Sequence, residues 1–507
     1  MIITFGLIAA FFVLVIAILQ SSYRKDRNFT DYAVGGRSFG PLYQAMSFLN
    51  TWYPGAIFIA FAGLTVAGGV IGFYLLSYSL LTIVLMYLMA RRVWMWGKAF
   101  DLRTQADLFS LRYESHHIRT LAGVIGIISS FPWLVLGMQA LGALFQYMSL
   151  QSLSFTTSVL LGVVVLVVRQ FWTIRMGMRG VVISDMVQGI AAYLLGTVII
   201  IGLLAWLVGV KHIGFGAVAP AKFVIPGQGS KMGGLYLFAL VFTGTVGGWC
   251  WPNIFVRLFT ADGVRSVKQA AAWAIPLSFV FCTLFLIFCL LASVLPAVAA
   301  HPDDVWFIAS QQAGGLVLLA LAGVVVFAAT MGNVDGTIQA NGAQIANDLI
   351  GNYWTLSHKQ LVFGAKIGML LITVLAAWTA CLKLPTLFTL AVIAYQGIVQ
   401  LAVPQFLGVF WRRGNKYGAI GGMVVGFVTA IALEIGSPGS IGALDGLTSG
   451  VVALALNLVI YVGCAYLIPQ SESERRRVER LFAMTRVGAA DIMAPGEVEA
   501  GVAIAEA

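Results

Sequence analysis

The chain is 507 residues long, 60% hydrophobic and 10% charged, whereas soluble domains carry charge on roughly a quarter of their residues. A soluble multidomain globule is excluded. The charge balance, 30 Lys and Arg against 20 Asp and Glu for a net +10, would on a soluble chain point to nucleic acid or another acidic partner.

In chain order, apolar runs of bilayer-crossing length, about 20 residues each, recur from Met1 to Leu467. They predict an all-α polytopic membrane protein with thirteen transmembrane helices, over 2–21, 41–65, 70–90, 119–148, 154–168, 180–209, 234–256, 270–297, 313–346, 361–381, 385–411, 417–436 and 448–468. The first run lacks the basic leader and small-residue cleavage site of a signal peptide and is read as a retained helix. The tail, 469–507, opens on a charged segment able to lie as an amphipathic surface helix and ends in a stretch that reads as disordered. Five cysteines lie in or beside apolar runs without paired or metal-ligand spacing, so neither a disulfide framework nor a metal site is expected. There is no nucleotide-binding glycine fingerprint, no GKS/T and no HExxH sequence, and no constellation of enzyme chemistry.

The cations sort by loop. Those on one face are Arg24, Lys25, Arg27 and Arg37 after the first span, six from Arg91 to Arg119 after the third, and Arg169, Arg175 and Arg179 after the fifth. Arg257, Arg265 and Lys268 follow the seventh span, Lys359 the ninth, Arg412, Arg413 and Lys416 the eleventh, and five Arg ending at Arg486 lie in the tail. The other face holds only Lys211, Lys222, Lys231 and Lys383, and Lys366 sits inside a span. The positive-inside rule then predicts a cell-membrane protein with its N-terminus outside and its C-terminus cytoplasmic. The +10 becomes an orientation signal facing anionic headgroups, and a nucleic-acid partner is not needed to explain it.

Two spans carry clusters of helix-breaking and aromatic residues. The second contains Asn50-Thr51-Trp52-Tyr53-Pro54-Gly55 and the seventh Gly244-Thr245-Val246-Gly247-Gly248-Trp249-Cys250-Trp251-Pro252. Pro and Gly free backbone groups at membrane depth, which is tolerable only where they line a cavity or bind something. The two spans are five apart and so antiparallel, as two inverted five-helix repeats require. The chain then divides into an extra N-terminal helix (1–21), repeat one (41–209), repeat two (234–411), two added helices (417–468) and a cytoplasmic tail (469–507). Ionisable residues within spans are Asp185, Asp335, Lys366 and Glu434, each a candidate for an ion path or an internal pair. Asp335, among small residues, is the candidate for cation or proton handling. Asp185 and Lys366 lie near cytoplasmic helix ends, where snorkelling or a structural pair competes with transport chemistry, and Glu434 reads as structural. Trp133 and Gln139 in the fourth span suit a solute lining.

Several stretches resemble the sodium:solute symporter family. Asp31-Tyr32-Ala33-Val34-Gly35-Gly36-Arg37-Ser38-Phe39-Gly40 resembles the family's entry to its first core helix, and Gly180-Val181-Val182-Ile183-Ser184-Asp185-Met186-Val187-Gln188-Gly189 resembles its "TDxxQG" signature. Trp251-Pro252 with Arg257 and Lys268 resembles the segment after the broken sixth core helix. Pro404-Gln405-Phe406-Leu407-Gly408-Val409-Phe410-Trp411-Arg412-Arg413 with Gly414-Asn415-Lys416 is similar to "PxxLGLFWKRxNK". The resemblance runs in order from Asp31 to Lys416. It implies the LeuT-type fold, a five-plus-five inverted repeat, and symport of a cation with a small solute, without a catalytic cofactor and without enzyme activity.

By position, the resemblance places sodium against the carbonyls of Thr51 and Pro54 and of Ala329. The family's adjacent hydroxyl pair falls on Gly332-Asn333, where Asn333 offers an amide oxygen and Gly332 only backbone. Asp335 stands where many members carry an acidic residue, and proton coupling through Asp335 or Asp185 is the alternative to Na+. The solute is expected between the breaks, against Trp52, Tyr53, Gly55, Trp249 and Trp251, with Trp133, Gln139 and Gln396. Half-helix N-termini there suit a carboxylate. With no buried Arg or Lys expected to clamp a dicarboxylate, a monocarboxylate or zwitterionic amino acid fits best. Phe131-Pro132-Trp133 resembles monocarboxylate- and pantothenate-type members. The protein is expected to act as a monomer or weak oligomer. A sensory membrane module is the rival class, disfavoured by a tail too short for a kinase; a channel is disfavoured because the breaks lie in one pseudo-symmetric chain.

Overall fold

The computed structural model describes residues 1–24, 28–228, 230, 232–382 and 387–485. Lys25, Arg27, Lys231, Lys383, Arg486 and the end of the tail lie outside the described residues. Within them the chain is almost wholly helical, and Phe39–Ala261 and Ile441–Leu447 form isolated bridges rather than a sheet.

Ten helical runs among the described residues are long and apolar enough to cross a membrane. The number of crossings is not this count, because several runs are interrupted. Phe155–Gly209, 55 residues long, would reach roughly 80 Å at about 1.5 Å per residue, more than twice the bilayer core. It contains the two expected spans 154–168 and 180–209, and it is divided at Gly177, whose φ of +57° and ψ of −146° are non-helical. The long run starting at Val305 is likewise interrupted, at Gly314 and Gly315. The expected seventh span is represented by the shorter apolar run Tyr236–Cys250. Side-chain caps fix many helix starts: Ser154 accepts from Thr157 N, Thr104 and Asp107 form a reciprocal box, and Asn415 accepts from Gly418 N, each satisfying a backbone donor that the helix itself leaves free.

The centre of the molecule is the helix Val305–Gln344. From Leu319 to Gln344 nearly every residue is buried, on all faces, as expected of a helix surrounded by others. It packs against the N-terminal helix Ile2–Ser21, against His116–Met148, against Phe155–Ile190 and against His358–Ala380. This buried stretch carries Thr330, Asn333, Asp335, Thr337, Gln339, Asn341 and Gln344. Polar groups in such a position must be partnered or face a cavity.

The charged segment of the tail forms the helix Glu472–Met484. It docks on protein: Val478, Leu481 and Phe482 are buried, Trp96 Nε1 donates to the Leu481 carbonyl at 2.8 Å, and the Arg92 guanidinium lies 5.1 Å from the Phe482 ring centre. Its apolar face is thus covered by the body of the protein.

Gly177 makes the fold testable. Its backbone conformation disfavours side chains, and a Cβ there would overlap the Tyr32 carbonyl. Gly177→Ala is expected to cost about 1–3 kcal/mol and to lower the melting temperature in detergent. Gly202→Ala, where a Cβ meets nothing within 4 Å, should melt like the parent; indistinguishable melting of both variants would contradict the assignment.

Candidate functional site

The two interrupted helices meet beside the central helix. The first runs Pro41–Trp52, opens through Tyr53 and Pro54, makes the turn Gly55–Phe58 and resumes as Ala60–Gly68. The second runs Tyr236–Gly247, tightens over Gly248–Cys250, becomes extended at Trp251 (φ −71°, ψ 124°) and resumes at Pro252. Pro cannot donate and Gly tolerates close approach, so both helices open where those residues cluster. At Gly55 the approach is tight enough that a Cβ would overlap Thr330 Oγ1 of the central helix.

Opening a helix frees carbonyls, and side chains take them up. The Thr51 carbonyl accepts from Asn333 Nδ2 at 2.8 Å. The Trp249 carbonyl accepts from Gln405 Nε2 at 2.8 Å and Gln105 Nε2 at 3.2 Å. The Thr245 carbonyl accepts from Thr82 Oγ1 at 3.3 Å.

Between the breaks lies a partly open cleft, about 440 Å³ of empty space with its open mouth included. Thr51, Trp52, Pro54 and Ile57 line it from the first break, Trp251, Asn253 and Ile254 from the second, and Asn333 and Thr337 from the central helix. Phe61, Tyr78, Ser130, Trp133 and Tyr395 complete the wall. Three rings form a mutually edge-on cluster: Trp133 and Trp251 at 6.0 Å, Trp251 and Tyr395 at 5.2 Å, and Trp133 and Tyr395 at 6.2 Å between centres. No charged side chain is among these lining residues. Asn253 Nδ2 donates to Thr337 Oγ1 (2.9 Å), and Trp52 Nε1 to Ser79 Oγ (3.0 Å). The buried indole N–H of Trp133 has no hydrogen-bond partner among the described residues.

The expected residues therefore separate. Trp52, Trp133 and Trp251 reach the cavity, as do Thr51, Pro54 and Asn333, which were expected at the ion. Tyr53 packs elsewhere, on Tyr193 and Phe281, each 6.0 Å away. Trp249 is fully buried against Phe48 and donates to the Thr82 carbonyl at 2.7 Å. Gln139 reaches the Ala380 carbonyl at 3.4 Å, and Gln396 accepts from Gly450 N at 2.7 Å. Ala329 is buried within the central helix. Tyr395, the neighbour of Gln396, takes the cavity position, since consecutive helical residues point about 100° apart and polarity alone selected the wrong one. Asn253, Tyr78 and Phe61 carry no signal that separates them from ordinary packing residues.

Three cations assigned by sequence to cytoplasmic loops, Arg112, Arg169 and Arg257, are instead buried, and the expectation of no buried Arg is corrected accordingly. Arg112 donates to the Gly408 carbonyl at 2.9 Å and the Gly414 carbonyl at 3.1 Å. Arg257 Nη2 lies 3.0 Å from Asp185 Oδ2, with both side chains 0% exposed. Arg169 Nη2 lies 2.9 Å from Asp335 Oδ2, at 1% and 0%. Arg257 opens the short helix Arg257–Thr260 and Arg169 lies within Phe155–Ile190; counting by loop treats both as solvated, yet an acid inside the bundle pairs with each. Asp185 also accepts from Ser47 Oγ (2.7 Å) and Asn50 Nδ2 (3.1 Å), and Asp335 from Gln170 Nε2 (3.0 Å). Lys366 is half-buried. Glu434 accepts from Ser449 Oγ at 2.6 Å and Gly439 N at 2.8 Å, a structural tie at a helix end.

Two broken helices around a cavity without charged lining residues, beside a polar central helix, define a membrane transporter of the LeuT-type fold. A Na+-coupled sialic acid symporter, solved substrate-bound and outward-open, superposes with a TM-score of 0.73 over 92% of this chain and 98% of its own, at 13% identity. That likeness establishes the fold. The chain belongs to the sodium:solute symporter family, whose profile matches residues 32–426. Similar relatives include the high-affinity proline transporter PutP of Bacillus subtilis, 25% identical over 81% of this chain and 88% of that protein. A monocarboxylic acid transporter of Corynebacterium glutamicum is 22% identical over 86% and 84%.

Removing one member of a buried pair leaves an uncompensated charge, at a cost of about 3–5 kcal/mol, whereas an apolar replacement of both is close to neutral. Asp335→Asn should therefore lower the melting temperature sharply, and the double variant Arg169→Met, Asp335→Leu should recover most of the loss. Equal losses for single and double variants would contradict the pairing.

Proposed function

We propose that this protein carries a small carboxylate solute, a monocarboxylate or a zwitterionic amino acid, through the cavity between its two broken helices by alternating access. The unpartnered indole N–H of Trp133 carries the reading. A buried donor without an acceptor among the described residues, at a cleft with no charged lining residue, suits one carboxylate held by neutral donors. It does not suit a dicarboxylate, which would call for a cationic clamp. The aromatic wall of Trp133, Trp251 and Tyr395 would pack the solute's apolar part, and Trp52, Thr51 and Asn253 would close the opposite side. The proline and monocarboxylate relatives support the same solute class.

In this reading the repeats 41–209 and 234–411 rock about the solute, 1–21 and 417–468 flank them, and the cationic face is cytoplasmic with the N-terminus outside. The protein works in the cell membrane as a monomer or weak oligomer. The energetic reading is cation-coupled symport. Na+ is the ion that the family name implies; H+ is the second reading, favoured by the burial of the carboxylates Asp185 and Asp335 within the bundle.

Uptake of labelled proline, pyruvate, acetate and pantothenate into proteoliposomes tests the proposal, and at least one should accumulate saturably. Trp133→Phe keeps the ring and deletes the donor. Losing a hydrogen bond to a charged group costs about 1.5–3 kcal/mol, so KM for the carried solute should rise roughly ten- to hundredfold with surface expression unchanged. An unaltered KM would remove Trp133 from the site.

A further inference from the structure

The central helix carries amides that its packing leaves unused. Both side-chain polar atoms of Asn341 and both of Gln344 are buried without a hydrogen-bond partner among the described residues, on residues 0% and 1% exposed. Steps of four, four and three residues place Asn333, Thr337, Asn341 and Gln344 within about 80° on one face of the helix Val305–Gln344, at about 100° per residue. Asn333 and Thr337 line the cleft between the breaks, so the stripe starts at the proposed solute site. Beyond its far end Asp348 accepts from Thr104 Oγ1 at 2.9 Å and from Arg119 Nε at 3.0 Å, and Arg119 is partly exposed on the cationic face. From Thr337 to Asp348 is about 16 Å at about 1.5 Å per residue, close to half the hydrocarbon thickness of about 30 Å.

The helix His116–Met148 covers this stripe with small residues in matching register. Ser130 lines the cleft together with Thr337. A Cβ at Gly126 would lie 3.4 Å from both amide atoms of Gln344 and 2.9 Å from Pro252 Cγ, and one at Gly123 would lie 3.3 Å from Asp348 Cβ. Pro252 is where the second broken helix resumes. Gln344 is therefore covered by bare glycine backbone and by an element of the second break, and a small separation of these helices would hydrate it. A buried amide left dry costs free energy that water restores, so the closed packing bears a standing penalty that the hydrated one does not.

We infer that Asn341 and Gln344 line the passage by which the solute leaves the cleft toward the cationic face, closed and dry in this structure and water-filled when the second broken helix moves away. Their amides, each donor and acceptor, solvate a small carboxylate in transit. The inference rests on the transport reading, which makes that face cytoplasmic, but opening of the passage can be measured without knowing the solute.

Full-length Asn341→Cys and Gln344→Cys variants, in sealed membrane vesicles of either sidedness, are exposed to a membrane-impermeant maleimide. Modification is read by mass spectrometry of the peptide at each position, which separates it from the five native cysteines. Both variants should react from the cationic face several-fold faster than Ala343→Cys, which lies about 100° round the helix from Gln344, and neither should react from the opposite face. Asn341→Leu and Gln344→Leu delete the unpartnered amides at similar volume. Each should raise the melting temperature in detergent and lower, by about tenfold, the maximal uptake rate of whichever of labelled proline, pyruvate, acetate or pantothenate is carried. This second measurement serves if a Cys variant does not fold. Asn341→Cys and Gln344→Cys variants no more reactive than Ala343→Cys, or reactive from the opposite face, would overturn the inference, as would folded Leu variants that carry solute at the parental rate. Failure of the unaltered protein to carry any of the four solutes, with both positions still modified from the cationic face, would instead count against the transport reading.

Discussion

Everything at the centre of this molecule depends on one constraint: a polar group freed at membrane depth must find its partner inside the protein. Breaking two helices at Tyr53-Pro54-Gly55 and Trp251-Pro252 releases carbonyls into a region without bulk water. The chain answers with side chains drawn from distant elements, Gln105 and Gln405 for Trp249 and Asn333 for Thr51. Those bonds fix where the breaks sit against the central helix, and hence where a cavity can open. What the breaks leave over is the space between them, walled by rings and by few polar atoms.

The same constraint governs charge. Asp185 and Asp335 could not sit in the bundle as bare carboxylates, and the buried Arg257 and Arg169 pair with them there. Such pairs add little net stability, because desolvation consumes most of the Coulombic gain. Their effect is specificity of arrangement: with Ser47, Asn50 and Thr51 they tie the first broken helix to its neighbours in one register. A carrier that rocks about its solute needs its moving parts held as rigid bodies, and a satisfied polar network between packed helices supplies that stiffness.

Much of this was legible in the sequence, for identifiable reasons. Pro and Gly beside aromatic residues mark helix breaks because their backbone chemistry is local, and spacing along the chain then gives the antiparallel relation of the two broken helices. Trp52, Trp133 and Trp251, expected at the solute, do reach the cavity wall. Partners were not legible, since which face of a buried helix points inward is set by tertiary packing. Arg169 and Arg257 looked like loop cations because hydropathy scores position along the chain and not direction. Gln396 was selected over Tyr395 because it is polar, yet its amide was needed to cap Gly450. The departure at Gly332-Asn333 was visible, but its meaning came only with the distance from Asn333 Nδ2 to the Thr51 carbonyl.

The account's central claim is that a small carboxylate solute crosses through the cavity between the breaks. Counterflow measures this most directly. Proteoliposomes preloaded with an unlabelled carboxylate solute are diluted into a trace of the labelled form, with sodium and pH equal on the two sides. The account predicts a transient overshoot of labelled solute inside the vesicles, abolished by filling the cavity with Ser130→Trp. No overshoot with any carboxylate tested, or an overshoot unchanged by Ser130→Trp, would contradict it.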